Sequence, residues 1–211
     1  MNELDFIYQR KSIRDYKEGT VPKEDILKML DAATYAPSPK HQQNWHFVVV
    51  QDKDLIDKMA EAVTISHKKI ASMARSEKEE KSFLKFLPYY LNFQRASCTV
   101  IVYGKDYEMI EEDILRASGI SEEYISLIKT PHPDAQGIGA AVENFLLAAS
   151  ALGYGACYMT GPAHAKDDLE KIVGFNKPGY SLMAMISLGI PSDKPVNQPP
   201  RKPLDEVVTF I

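Results

Sequence analysis

Two cysteines, Cys98 and Cys157, are all that this 211-residue chain carries. They lie far apart, each among apolar neighbours, so they build neither a disulfide framework nor a cysteine metal centre. The five histidines are scattered without ligand spacing, which removes the other common route to a metal site. Long hydrophobic runs are missing as well. The best candidate, Ile138 to Leu152, is too short for a bilayer and contains Glu143 and Asn144. The opening Met1-Asn2-Glu3-Leu4-Asp5 is acidic and has no apolar h-region, so no signal peptide is expected. Positive charge is not in excess. Lys and Arg number 25 against 29 Asp and Glu, for a net charge of -4, which argues against nucleic acid as the main partner. The expectation is a reduced, metal-free, cytoplasmic protein.

What is present is ordinary globular material, 45% hydrophobic and 26% charged, with length for one large domain or two small ones. Leu4 to Gln9 reads as a short first helix. Thr20 is placed to cap a second, with Pro22 in its first turn and Ile26, Leu30 and Ala33 on one face. Pro37-Ser38-Pro39 ends it. Trp45 to Gln51 and Cys98 to Gly104 are β-branched and aromatic runs, read as buried strands. Asp54 to Val63 is amphipathic, and 66–86 continues as a Lys- and Glu-rich helix. Residues 106–128 are acidic and helical, and Pro131-His132-Pro133-Asp134 breaks the chain.

Ala140 to Leu152 is apolar or small nearly all round, the profile of a helix buried on most sides. Gly153 and Gly155 terminate it. Ala156 to Thr160 and Ser181 to Gly189 read as further strands, and Val207 to Ile211 as a short last one. Residues 191–203 hold five of the thirteen prolines, which makes them an extended arm. No repeat and no linker divides the chain, so one α+β domain over 1–211 is expected.

The most informative stretch is Arg10-Lys11-Ser12-Ile13-Arg14. Three cations and a hydroxyl in five residues suit a phosphate, held by charge-assisted hydrogen bonds. A solvated basic turn after a first helix explains the same residues equally well. Gly137-Ile138-Gly139 lacks the preceding strand that a dinucleotide fingerprint needs, so close helix packing is the better reading. No nucleophile elbow and no Ser/His/Asp order is present. His46 reads as a half-buried structural histidine, and His164 as a cap for Asp167-Asp168-Leu169. A phosphate clamp without a side-chain catalyst fits a protein whose chemistry belongs to a bound, phosphate-bearing redox cofactor.

Four blocks in series resemble the nitroreductase family of FMN-dependent flavoenzymes. They are Arg10 to Tyr16; Ala36-Pro37-Ser38 through Trp45 to Val50; Ala140 to Gly155, with Asn144 and Leu152-Gly153-Tyr154-Gly155; and Pro200-Arg201-Lys202-Pro203 to Val208. The resemblance implies an α+β fold with a central mixed sheet flanked by helices, and an intertwined homodimer with FMN at the subunit interface. It implies that Arg10, Lys11, Ser12 and Arg14 line the cofactor, that Arg201 and Lys202 reach the same phosphate, and that Pro37 and Ser38 touch the flavin from the partner subunit. Met159, Thr160 and Gly161 would run beside the ring, with the N–H groups of Thr160 and Gly161 facing N5 and O4. No side chain is assigned a catalytic role, because the chemistry sits at flavin N5.

Two places depart from the family pattern. His41 and Asn44 stand where the family often has Asn and Pro, so His41 is either a polar replacement near the flavin or a loop residue. Residues 104–135 form an excursion that would cover the site, with Tyr107, Met109, Tyr124 and Ile128 as lining or as helix core. The implied activity is a ping-pong cycle carrying reducing equivalents from NAD(P)H to nitroaromatic or quinone-type acceptors. A flavin or enone reductase of the same fold, and a flavin-binding protein without turnover, are the alternatives.

Overall fold

The structure is a computed structural model and describes residues 3–211. Helix α1 (Asp5–Gln9) is followed by α2 (Lys23–Thr34), β1 (Trp45–Val50), α3 (Lys53–Ala71), α4 (Glu77–Leu84), α5 (Leu87–Tyr90) and β2 (Cys98–Lys105). Then come α6 (Ile110–Ala117), α7 (Glu122–Lys129), α8 (Pro133–Ala151), β3 (Gly155–Met159), α9 (Lys166–Val173) and β4 (Tyr180–Gly189). The strands form one sheet in the order β1-β2-β4-β3, every named pair antiparallel. The single parallel pairing among the described residues is an isolated bridge from Ser12 to Ala156, which gives the sheet its mixed character.

The sheet is covered on both faces, which explains why its strands read as continuous apolar runs rather than alternating ones. Side chains on β2 and β4 alternate between two cores. Val100, Val102, Ala184 and Ile186 pack with Met29 of α2 and Val142 and Phe145 of α8. Ile101, Tyr103 and Met185 pack with Ile56, Met59 and Val63 of α3 and Leu169 of α9. Phe145 is fully buried, and such burial contributes about 1.5–3 kcal/mol. Asp52 starts α3 by accepting from Asp54 N at 2.9 Å and Leu55 N at 3.1 Å.

Several boundaries differ from the sequence reading. Thr20 does not cap α2; Pro22 occupies the cap position, with no side-chain cap bond. The charged helix expected over 66–86 is two helices, because α3 stops at Ala71 and Ser76 caps a new one by accepting from Glu79 N. Helix α8 begins seven residues before Ala140, at Pro133. A proline in the first turn costs nothing there, since its missing N–H would have had no acceptor. Gly153, at φ +82°, closes α8 as expected, whereas Gly155 is the first residue of β3. Val207 to Ile211 forms no strand; a short 3-10 turn, Leu204–Glu206, precedes it and the segment is exposed. Along α8, Gly139, Ala140, Glu143, Asn144, Leu147 and Ala148 remain partly exposed, so the helix is buried on one side rather than on most.

Candidate functional site

The outer edge of β3 is where the chemistry-bearing residues gather. Ala156 turns its carbonyl away from β4 and accepts from Ile13 N at 2.9 Å. Backbone direction repeats every two residues, so Tyr158 turns its N–H and carbonyl to the same side. No described strand pairs with it there. After Met159 the chain enters a 3-10 turn, Gly161–Ala165. The N–H of Gly161 opens that turn and has no acceptor inside it.

A groove of about 290 Å³ follows this edge, lined by Arg14, Tyr89, Tyr90, Cys157, Tyr158, Met159, Thr160, Gly161 and Pro162. Gly161 is required by contact. A Cβ built on it would fall 2.6 Å from Cε1 of Tyr90. Gly155 carries a similar constraint, because its Cβ would stand 2.6 Å from Ile13 Cγ2 where the basic segment crosses β3.

The basic segment is held in an unambiguous donor order. Tyr16 Oη lies 2.8 Å from the carbonyl of Ile13, which only accepts, so the phenol donates to it. Ser187 Oγ, 2.7 Å away, therefore donates to the phenol, and Asn92 Nδ2 donates to Ser187 Oγ at 2.9 Å. Ser187 and Asn92 are buried. Both backbone groups of Ile13 are thus tied, between Ser12 and Arg14. Burial raises the Tyr16 phenol well above its ordinary value, so it stays a protonated donor.

The cations differ in how they are compensated. Arg10 Nε pairs with Glu143 Oε1 of α8 at 3.1 Å. Arg14 has no carboxylate in ion-pair reach among the described residues. Its Nη1 lies 3.5 Å from the Ser12 carbonyl, and its guanidinium stands 6.0 Å from the Tyr89 ring centroid. Lys11 Nζ donates to the Val196 carbonyl at 3.4 Å. Burial pushes the Cys157 thiol up, opposed in smaller measure by Arg14, Ser12 and Arg10.

The two ends of the chain run side by side here. Lys17 N donates to Ile190 O at 2.9 Å, Ser192 N to Asp15 O at 3.0 Å, and Lys17 Nζ pairs with Asp193 at 2.7 Å. Arg201 and Lys202 lie beyond Val196, exposed and without a hydrogen bond or ion pair among the described residues.

Pro37, Ser38 and His41 do not line the groove of their own protomer. They belong to a loop against the start of α8, where a Cβ on Gly137 would lie 3.7 Å from Pro37 O. That is ordinary van der Waals contact, and Gly139 faces open space, so the close packing expected to explain these glycines is not required at either position. Lys40, His41 and Gln43 all have positive φ, at 49°, 54° and 45°. Such non-glycine conformations cost of order 1–3 kcal/mol each and concentrate at functional loops. Ser38 Oγ accepts from Gln43 N at 3.1 Å, His41 Nε2 meets Gln43 Nε2 at 2.9 Å, and Gln42 exchanges two hydrogen bonds with the Glu108 backbone. In the 104–135 excursion, Tyr107, Met109 and Ile128 line a separate cavity of about 300 Å³ with Lys129, His132 and Asp134. Tyr124 does not reach it.

The nitroreductase family model matches residues 7–190. The chain belongs to the nitroreductase family. It is 30% identical over 196 residues, 90% of this chain and 86% of the relative, to an Archaeoglobus fulgidus protein named "Putative NADH dehydrogenase/NAD(P)H nitroreductase". A BluB-like flavoprotein from Clostridium difficile 630 is 38% identical and superposes with a TM-score of 0.94, covering 100% of this chain and 99% of that one. A Desulfitobacterium hafniense nitroreductase solved with bound FMN has a TM-score of 0.71 over 100% and 99% of the two chains, and at 22% identity it speaks for the fold alone.

On this chain of the nitroreductase family the structure gathers Arg14, Met159, Thr160 and Gly161 around one groove, with Ser12 bridged to Ala156 on the same strand edge. Sequence reasoning missed Tyr89, Tyr90, Cys157 and Tyr158. The Tyr89-Tyr90 doublet after Pro88 was the available signal, but nothing local ties it to a strand end some seventy positions later. His164 is not the cap of α9. That helix starts from Ala165 without a side-chain cap, and His164 Nδ1 meets Ser66 Oγ at 2.8 Å instead. His46 is half-buried as expected, stacked on Phe175 at 4.8 Å.

Proposed function

We propose that this chain is an FMN-dependent oxidoreductase that passes reducing equivalents from NAD(P)H to nitroaromatic or quinone-type acceptors by a ping-pong cycle, working as a cytoplasmic homodimer. The observation that carries this reading is the open edge of β3. A guanidinium with no carboxylate partner among the described residues, the backbone of a strand edge that no described strand covers, and an aromatic wall meet there in one groove, on a chain of the nitroreductase family.

The residues fit the cofactor chemically. Arg10, Lys11, Ser12 and Arg14 would hold its phosphate, with Glu143 orienting Arg10. The Tyr16–Ser187–Asn92 chain keeps those residues in register, so their donors need no reorganisation. Arg201 and Lys202, at the end of the arm 191–211, would supply the second cationic contact. Thr160 and Gly161 would offer N–H groups to the polar edge of the ring, and Met159 an apolar contact. Bound FMN supplies reversible two-electron chemistry at its ring.

A groove of about 290 Å³ lies at the low end for a cofactor site and covers one side only. A second protomer would bring Pro37, Ser38 and His41 as the opposite wall, and residues 104–135 as the lid. The exposed apolar side chains support such pairing. They include Leu4 at the cap of α1 and Phe6, Ile7 and Tyr8 on it, Ile110, Ile114 and Leu127 on α6 and α7, and Val207, Val208 and Phe210 further on.

An anaerobic titration of the purified protein with NADH and with NADPH, followed by a nitroaromatic or a quinone, tests the reading. Flavin bands that bleach with a nicotinamide and return with the acceptor support it. A yellow protein whose colour survives both nicotinamides contradicts turnover, and release of reduced FMN as product favours a flavin reductase.

A further inference from the structure

Behind the groove lies a side-chain cluster that the chemistry above does not use. Ser66 and His67 are consecutive on α3, and His67 is fully buried. Its Nε2 lies 3.1 Å from the Phe83 carbonyl, which only accepts, so Nε2 carries the ring hydrogen and Nδ1 is a bare lone pair. That Nδ1 is buried and has no hydrogen-bond partner among the described residues. Ser66 Oγ donates its single hydrogen to the His164 carbonyl at 3.1 Å. Its contact of 2.8 Å with His164 Nδ1 must then be donated by the imidazole, which leaves His164 Nε2 bare. That nitrogen too is buried without a partner. Hydrogen bonding thus assigns the two rings opposite tautomers.

The cluster joins both walls of the groove. The two imidazole centroids are 5.7 Å apart, and the Tyr90 ring stands 4.8 Å from His67 and 5.4 Å from His164. Phe83, on α4, stacks on His67 at 4.1 Å with an interplanar angle of 9°. The Tyr90 ring also lies against Gly161, where a Cβ would fall 2.6 Å from Cε1. His164 belongs to the same 3-10 turn as Gly161 and Pro162.

We propose that Ser66, His67 and His164 form a positioning lock for the groove. Two neutral imidazoles of opposite tautomer fasten the 161–165 turn and the 83–90 segment to α3, and so hold Tyr90 against Gly161. These are positioning residues; none lines the groove. The proposal rests on the reading of that groove as the flavin site.

Two measurements test it. Nitrogen-15 NMR of the histidine-labelled apoprotein at neutral pH should find His67 as the Nε2–H tautomer and His164 as the Nδ1–H tautomer. Either ring in the other tautomer, or doubly protonated, overturns the lock, and this measurement needs neither variant nor flavin. FMN affinity, read by quenching of flavin fluorescence, should then separate two substitutions. His164→Asn keeps a donor near the Nδ1 position and should bind FMN like the unsubstituted protein. His164→Leu removes it and should weaken binding by about tenfold, the worth of one hydrogen bond. Equal affinity in the Leu variant and the unsubstituted protein overturns the lock. Should the Leu variant fail to fold, the tautomers and the Asn variant decide. If the unsubstituted protein itself binds no FMN, the flavin reading falls first, and the tautomers still report on the cluster.

Discussion

Substituting Tyr16 by Phe removes a single atom from the chain Asn92–Ser187–Tyr16–Ile13. The ring should stay, because it packs against Gly189, where a Cβ would stand 2.8 Å from Tyr16 Cδ1. The Ile13 carbonyl loses the donor at 2.8 Å and the buried Ser187 hydroxyl loses the acceptor at 2.7 Å. Leaving sheltered polar groups unpaired costs about 1–3 kcal/mol. For a domain of this size each kcal/mol lowers Tm by roughly 2–4 °C, so a fall of about 2–12 °C is expected in the apoprotein. FMN affinity should fall as well, because Ser12 and Arg14 flank the released carbonyl. Thermal unfolding at fixed protein concentration and an FMN titration read the two effects separately. A Phe variant with both unchanged would refute the argument that this chain positions the basic segment.

Gly161→Ala should leave the fold intact while weakening FMN binding, since the added methyl lies 2.6 Å from the Tyr90 ring and something must shift; unchanged binding in a titration would mean that Tyr90 is not pressed there. Arg10→Ala together with Arg201→Ala should strip cofactor during purification, and a double variant that retains all its flavin would remove both residues from the phosphate site. Acid should destabilise the protein in a defined window. Burial holds the imidazoles of His46 and His164 below their ordinary 6.5, with Lys177 adding to the first effect. The unfolded chain then binds protons before the folded one, so this contribution is complete above 6.5 and is lost as pH falls from there to the depressed folded values. The carboxylates of Asp57 and Glu112, lowered chiefly by hydrogen bonds from Lys53 and Lys129, act in the same direction below their ordinary 3.8 and 4.5. Urea denaturation across this range should show falling midpoints, and a midpoint that rises on acidification would contradict the assignment.

The strands were legible because burial on both faces leaves β-branched runs with no polar interruption, as in Thr99 to Tyr103. The start of α8 was not, because Pro133 looks like a breaker in sequence and becomes a first-turn residue only once the cap is known. The gap between α3 and α4, Ser72 to Ser76, holds neither proline nor glycine, so nothing in its composition marks the break. Val207 to Ile211 has the composition of a strand and no partner strand among the described residues. At the site, the cluster from Arg10 to Arg14 was visible because its charge is local. The wall formed by Tyr89 and Tyr90 was not, because it meets Gly161 only through the tertiary fold. Ser66 and His164 lie 98 positions apart, so no spacing rule joins them.

The central claim is that the basic segment after α1 and the open edge of β3 form one flavin site. A crystal structure of the protein grown with FMN tests it most directly. The account predicts the phosphate on Arg10, Ser12 and Arg14, and the ring along Met159 to Gly161, with Pro37 and Ser38 of a second copy on its far side. A flavin seated elsewhere, with this groove empty and Arg14 turned to solvent, would contradict it.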